Sequence, residues 1–208
     1  MAQMGRPRNF DRDEAVNKAM HLFWEHGYES TSLARLREGI GGISAASFYA
    51  AFDSKEALFR EVVERYVASH GQAIAPLWDA SLSPKQALEQ ALRQTAKMQT
   101  DRAHPQGCLL VLGASACSPE SGHIQALLAK ERERTRSGVR VCLDRARKCG
   151  ELPATKDVAT LTVLFDSFLF GITTQARDGT PLRSLDKAIT EIMTLMVDPL
   201  AGRAEATP

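Results

Sequence analysis

No run of apolar residues in this 208-residue chain approaches the roughly 18 needed to span a bilayer. Residues 1–9 hold two arginines and no apolar stretch of the kind that opens a secretory signal. These absences lead to the expectation of a cytoplasmic protein with no membrane partner. An excess of one charge is missing as well. The 26 Lys and Arg against 25 Asp and Glu leave a net charge of +1, so the global electrostatic footprint of many nucleic-acid binders is absent. Residues 31–58 are themselves balanced, with Arg35, Arg37 and Lys55 against Glu38, Asp53 and Glu56. Charge therefore neither supports nor excludes DNA. Cysteine is sparse: Cys108, Cys117, Cys142 and Cys149 show no C-x-x-C spacing, which argues against a disulfide framework and leaves reduced thiols as the expectation. Cys142 and Cys149 sit about 10 Å apart along a helix at ~1.5 Å per residue, too far to share one metal or a disulfide. His21 and His26 have no partner at ligand spacing and read as structural.

What is present is enough apolar residue content, 44%, to build a core, and a stretch around which the chain is organised. Within residues 31–58, Leu33, Leu36 and Ile40 recur at i, i+3 and i+7, turning Arg35 and Glu38 outward and leaving Arg37 on the flank. Gly41-Gly42 interrupts this helix. Ser44 then caps a second helix, in which Phe48 and Phe52 form the apolar stripe while Ala46, Ser47 and Ala50 lie roughly opposite. Two short helices about a glycine turn are the sequence form of a helix-turn-helix. The small outer face suits a helix entering a major groove about 12 Å wide, and suits helix packing equally well.

The flanks favour the groove. Before the helices, Gly5-Arg6-Pro7-Arg8 is a short basic arm of a kind drawn into minor grooves. A first helix opens at Asp11, with Glu14 three residues on, carries Val16, Ala19, Met20 and Phe23 on one face, and ends at Gly27. After them, Asp53-Ser54-Lys55-Glu56 reads as a capping box that places Lys55 at a helix N-terminus, where free backbone N–H groups also attract phosphate. The expected linking helix runs from residue 54 to about 75, where Pro76 interrupts it.

The run from residue 5 to 66 resembles the DNA-binding domain of TetR-type (TetR/AcrR-like) transcriptional regulators: a basic arm, three short helices, a Ser-Phe-Tyr-x-x-Phe recognition helix, and a Ser-Lys-Glu-x-Leu-Phe entry into a fourth helix. The resemblance implies that Ser44, Ala45, Ala46, Ser47, Tyr49 and Ala50 belong to the recognition helix. It further implies that Tyr49 and Lys55 touch phosphates, that Ser32 and Arg35 support them, and that Arg6 and Arg8 act from the arm. Gly41-Gly42 departs from the single glycine common in that family and is expected to lengthen the turn by one residue.

Beyond this third of the chain the pattern stays helical. Ser83-Pro84-Lys85-Gln86 opens a helix with Ala87, Leu88, Ala91, Leu92, Thr95 and Met98 inward. Residues 107–116 are the most apolar stretch and predict a buried helix. Its Gly113-Ala114-Ser115-Ala116-Cys117 imitates a hydrolase nucleophile elbow but lacks the final glycine and a preceding strand, so no enzyme is expected. Residues 120–148 hold eight basic against four acidic residues, read as a solvated face, with Gly150 ending the helix. Val158, Leu161, Val163, Leu164, Phe165, Phe168, Leu169, Phe170 and Ile172 cover more than one stripe, so a second copy of the chain is expected to cover part of them. Ser184 then opens a last helix bearing Leu185, Ile189, Ile192 and Met196. Two such helices pair with their copies as a four-helix bundle.

The reading is an all-α fold: a helix-turn-helix domain over residues 1–53, a helical ligand-binding and dimerisation domain over 54–200, and a flexible tail over 201–208. Expected partners are a double-stranded DNA operator, a small-molecule effector and a second copy; no cofactor or metal is expected. Leu161, Leu164, Phe168, Gly171, Ile172, Ile189, Ile192 and Met196 are assigned to the dimer interface. Met98, Cys108, Leu112, Phe165 and Phe168 are assigned to the effector pocket. The expected role is a ligand-released repressor. The alternatives are a metal or redox sensor using Cys108, Cys117 and His104 or His123, and a helical small-molecule binder that no longer reads DNA.

Overall fold

The computed structural model describes residues 10–114 and 117–196. Helices α1 (Arg12–His26), α2 (Leu33–Gly39), α3 (Ala45–Phe52) and α4 (Lys55–Ala68) form the N-terminal unit. A 3₁₀ segment (His70–Trp78) leads to α5 (Pro84–Thr100), α6 (Leu109–Leu112), α7 (Gly122–Lys148), α8 (Val158–Arg177) and α9 (Leu182–Met193), with no strand among the described residues.

Local chemistry starts each of the first four helices. Asp11, Ser32, Ser44 and Ser54 each accept the backbone N–H three residues on, removing one of the donors that a helix N-terminus leaves free. Ser54, not Asp53, caps α4, so the third helical position is Ala57. The expected capping box is therefore not formed, and Glu56 pairs instead with Arg60 and His123. The linking helix also stops earlier than expected. Ser69 leaves helical geometry at φ −116° and ψ −91°, its hydroxyl takes the Arg65 carbonyl at 2.7 Å, and the chain continues as the 3₁₀ segment that contains Pro76.

Two further expectations shift. The predicted helix over residues 107–116 is reduced to the single turn of α6, bounded by Gly107 at φ 87° and by the cap at Gly113, although Leu109 and Leu110 are buried as expected. The last helix begins at Leu182 behind Pro181, and Ser184 lies in its first turn.

Packing divides the molecule into two cores. One gathers Phe23, Trp24, Phe48, Phe59 and Tyr66 from α1, α3 and α4, and adds Leu109 and Leu110 of α6 with Ile124 and Leu128 of α7. The other joins α5, α7, α8 and α9 around Leu92, Leu143, Phe165 and Ile189. The boundary of apolar packing therefore does not follow residue 53, because α6 and the start of α7 close the floor of the N-terminal unit. Arg12 grips Glu61 through two 2.7 Å bonds, and Arg65 holds Asp13 at 2.6 Å, clamping α1 onto α4. Such exposed pairs are screened by solvent and add little, against roughly 1.5–3 kcal/mol for each large apolar side chain buried, so the aromatic cluster dominates.

The expectation that no segment approaches a membrane span needs correction at α8, whose length and mean hydropathy of 1.3 would suffice. It packs against α5 and α7, however, and buries Asp166 in an ion pair with Arg136 at 2.8 Å.

Candidate functional site

The doubled glycine resolves into a specific turn. Gly41 and Gly42 both have positive φ, 128° and 71°, conformations that side chains rarely adopt. The Arg37 carbonyl accepts from Gly42 N at 2.9 Å and Ile43 N at 3.2 Å, while its guanidinium returns to the Ile43 carbonyl at 3.0 Å. Arg37, read as a flanking residue, is thus the clasp of the turn. Behind the turn, Phe48 and Phe52 are buried, and Ser44, Ala45, Ala46, Ser47, Tyr49 and Ala50 are all exposed on α3. Tyr49 keeps 50% of its surface open. The Ser44 and Ser47 hydroxyls sit 2.9 Å apart at the helix N-terminus.

On α2, Ser32 and Arg35 are exposed beside this face; the Ser32 oxygen caps the helix, and Arg35 forms no ion pair among the described residues. Lys55 is placed differently. Its ammonium lies 4.3 Å from the centre of the Tyr28 ring, and burial pushes its pKa down, partly opposed by Glu29 and Cys117. The lysine is folded against the protein. Arg6 and Arg8 lie outside the described residues.

A cavity of about 310 Å³ opens between the 3₁₀ segment, α5, α6, α7 and α8. Of the residues assigned to the effector pocket, Met98 and Cys108 border this cavity, and Leu112, Phe165 and Phe168 do not. Phe165 is fully buried in the second core and Phe168 packs half-buried on its flank, since the face of α8 that meets the cavity carries Asp166, Leu169, Phe170 and Thr173 instead. Tyr66 donates its hydroxyl to Cys108 Sγ at 3.4 Å, and burial pushes the pKa of both groups up. The Arg132 guanidinium donates to the Leu110 carbonyl at 2.6 Å, and burial lowers its pKa. Sequence reasoning missed Tyr66, Arg132, Gln99 and Asp166 on this wall. Only Asp166 carried a visible signal, as the lone carboxylate in an otherwise apolar run.

The expected self-association face separates into two groups. Leu161, Ile172, Ile189 and Met196 are covered by the protomer's own helices and leave no surface for a partner. Leu164 and Gly171 are exposed, Phe168 and Ile192 half-buried, and Val163, which was not assigned to the interface, is the most open at 61%. The residues of the metal-sensor alternative are dispersed. His104 stacks on Trp24 at 4.5 Å, His123 pairs with Glu56 at 3.1 Å, and no cluster of three potential ligands forms among the described residues. The basic run on α7 is not merely a solvated face: Arg132, Arg136 and Arg145 tie down carbonyls or carboxylates of neighbouring segments.

Comparison with known proteins agrees with this geometry. Residues 15–62 match the family described as "Bacterial regulatory proteins, tetR family", and residues 84–192 match the "Tetracyclin repressor-like, C-terminal domain". The chain is 37% identical over 185 residues to the HTH-type transcriptional repressor ComR of Escherichia coli (strain K12), covering 87% of this chain and 86% of that protein. It is 29% identical over 120 residues to the repressor BdcR of the same organism, covering 58% and 60%. Among solved structures, the TetR family transcriptional regulator CifR, as a cysteine mutant complexed with 26 bp double-strand operator DNA, superposes with a TM-score of 0.82 at 37% identity over 90% of this chain and 98% of that one. A DNA-reading helix pair, a helical second half and matches over both parts place the chain in the TetR family of transcriptional regulators.

Proposed function

We propose that this protein is a homodimeric repressor that binds a pseudo-palindromic operator through α3 and is released by a small molecule held in the α5–α8 cavity. It acts in the cytoplasm and without catalysis. The observation that carries the reading is a 2.7 Å hydrogen bond from Tyr28 N to the Gly113 carbonyl. Tyr28 lies between α1 and α2, and Gly113 caps α6, whose residues Leu110 and Val111 border the cavity. Displacing α6 thus moves the backbone that positions the helix-turn-helix, and with it the ring that holds Lys55. In the DNA-bound state Lys55 leaves Tyr28 for a phosphate, joined by Tyr49, Arg35 and the arm residues Arg6 and Arg8. The outward residues of α8 and α9, Val163, Leu164, Phe168, Gly171 and Ile192, form the interface that sets two α3 helices one turn of DNA apart. An effector weakens binding only by as much as its affinity differs between the two states, typically about 5–150-fold.

The test is footprinting with DNA from around the protein's own gene at about 0.15 M salt, where specific sites commonly exceed non-specific DNA by at least ~10³-fold. Protection of a two-fold-related pair of half-sites is expected. A protein that shows no such excess on any sequence has lost DNA reading, and the small-molecule binder becomes the better account.

A further inference from the structure

The cavity wall carries polar groups that the fold does not use. Thr95 and Gln99 lie one turn apart on α5, are only 4% and 3% exposed, and both border the cavity. Thr95 Oγ1 and Gln99 Oε1 have no hydrogen-bond partner. A buried helical threonine ordinarily returns its hydroxyl to the carbonyl four residues back, as Thr162 does at 2.8 Å and Thr173 at 3.4 Å on α8. Thr95 makes no such bond. Buried polar atoms without partners are uncommon in proteins, and two on one cavity wall mark where a ligand's polar group belongs.

The charges on the same wall narrow the class of ligand. Asp166 is held by Arg136, and it faces the cavity as a carboxylate that repels an anion. Arg132 and Arg134 border the cavity and oppose a cation, while Glu131 on the same wall joins Asp166 in opposing an anion. Much of the remaining lining is apolar or aromatic, including Ile74, Leu110, Val111, Leu169 and Phe170. A volume of about 310 Å³ is at the lower end of ligand pockets, which commonly span about 300–1,000 Å³. Gln99 Oε1 requires a donor, which a carboxylate lacks. A hydroxyl both donates and accepts, so it satisfies the Gln99 amide in either orientation and pairs with the Thr95 hydroxyl as well.

We infer that the cavity selects a compact, uncharged, mainly apolar alcohol or phenol, whose hydroxyl is seated between Gln99 and Thr95. This rests on the effector role proposed above for the same cavity and specifies its ligand chemistry.

The test is calorimetric titration of the full-length protein, without DNA, with 2-phenylethanol, ethylbenzene, phenylacetate and phenethylamine. The alcohol should bind at least ~10-fold more tightly than each of the others, equivalent to about 1.4 kcal/mol. Gln99→Met and Thr95→Val should each reduce that preference while ethylbenzene binds as before, which shows that the cavity is intact. If one variant fails to fold, the other decides. A preference for the anion or the amine, an alcohol preference that survives both substitutions, or no binding by any probe would overturn the inference. Operator release is read separately. Alcohol selectivity through Gln99 and Thr95 without DNA release would support the ligand class and defeat the effector role, whereas release by a charged compound held in the cavity would do the reverse.

Discussion

Single residues decide how the reading head is held and how it meets DNA. Nothing lies within 4 Å of a Cβ added at Gly42, so replacing it with alanine meets no clash and costs only backbone strain at φ 71°. Gly42→Ala should therefore destabilise the protein by about 1–2 kcal/mol, lowering the melting temperature by several degrees. An unchanged melting curve would mean that the turn relaxes by another route. The DNA contact proposed for Arg35 can be tested apart from stability, because the side chain is exposed and forms no ion pair among the described residues. Arg35→Ala should weaken binding to specific and non-specific DNA alike and reduce the salt slope of binding by about one, with melting unchanged. Loss confined to one operator position would assign it to base reading.

At the scale of elements, close packing between the 3₁₀ segment and α7 borders the cavity. A Cβ at Gly138 would sit 2.6 Å from Trp78 Cζ2, part of a rigid ring that also lines the cavity. Gly138→Ala should cost about 1–3 kcal/mol through overpacking. It should also shift tryptophan fluorescence and alter ligand affinity, whereas the buried Trp24 should contribute no change. A stable variant with an unaltered emission spectrum would show that Trp78 is not seated against α7 in solution. The 3₁₀ segment also explains why helix length was misjudged. The apolar periodicity of α4 continues past residue 68, but Ser69 leaves helical geometry while its N–H and hydroxyl both donate to the Arg65 carbonyl, a local C-cap that periodicity does not report.

For the whole molecule, two properties follow from how the halves meet. His21 of α1, His70 of the 3₁₀ segment and His104 beyond α5 gather with Trp24 at the junction. Burial, then repulsion from His104, lowers the pKa of both His21 and His70 from 6.5, with Asp101 partly opposing this at His70. As pH falls below about 6.5, the unfolded chain takes up these protons before the folded one does. Their contribution is thus complete above that pH and lost on descending toward the depressed folded values. Melting temperature should fall between pH 7.5 and 5.5, and His70→Gln should flatten the dependence; an equally steep slope in the variant would locate the effect elsewhere. The second property is assembly. Val163 and Leu164 leave adjacent large apolar side chains open on α8. Leu164→Lys should give a monomer by sedimentation and lose operator binding while retaining its helical spectrum, and a variant that stays dimeric would move the interface off this face.

The sequence alone determined the three-helix head. Asp11, Ser32, Ser44 and Ser54 bond to backbone three residues away, and Phe48 and Phe52 share a face by helical geometry, so each signal is contained in its own segment. It also showed that the run around α8 was too apolar for one core, but not which way each side chain would turn. Leu161, Leu164, Phe165 and Phe168 are similar in character, and only packing against α5, α7 and α9 sends Leu161 and Phe165 inward while leaving Leu164 open. The cavity was hidden for the same reason. Thr95 and Gln99 are ordinary polar residues along α5, and they become a site only where α6, α7 and α8 close over them, contacts made between residues far apart in the chain.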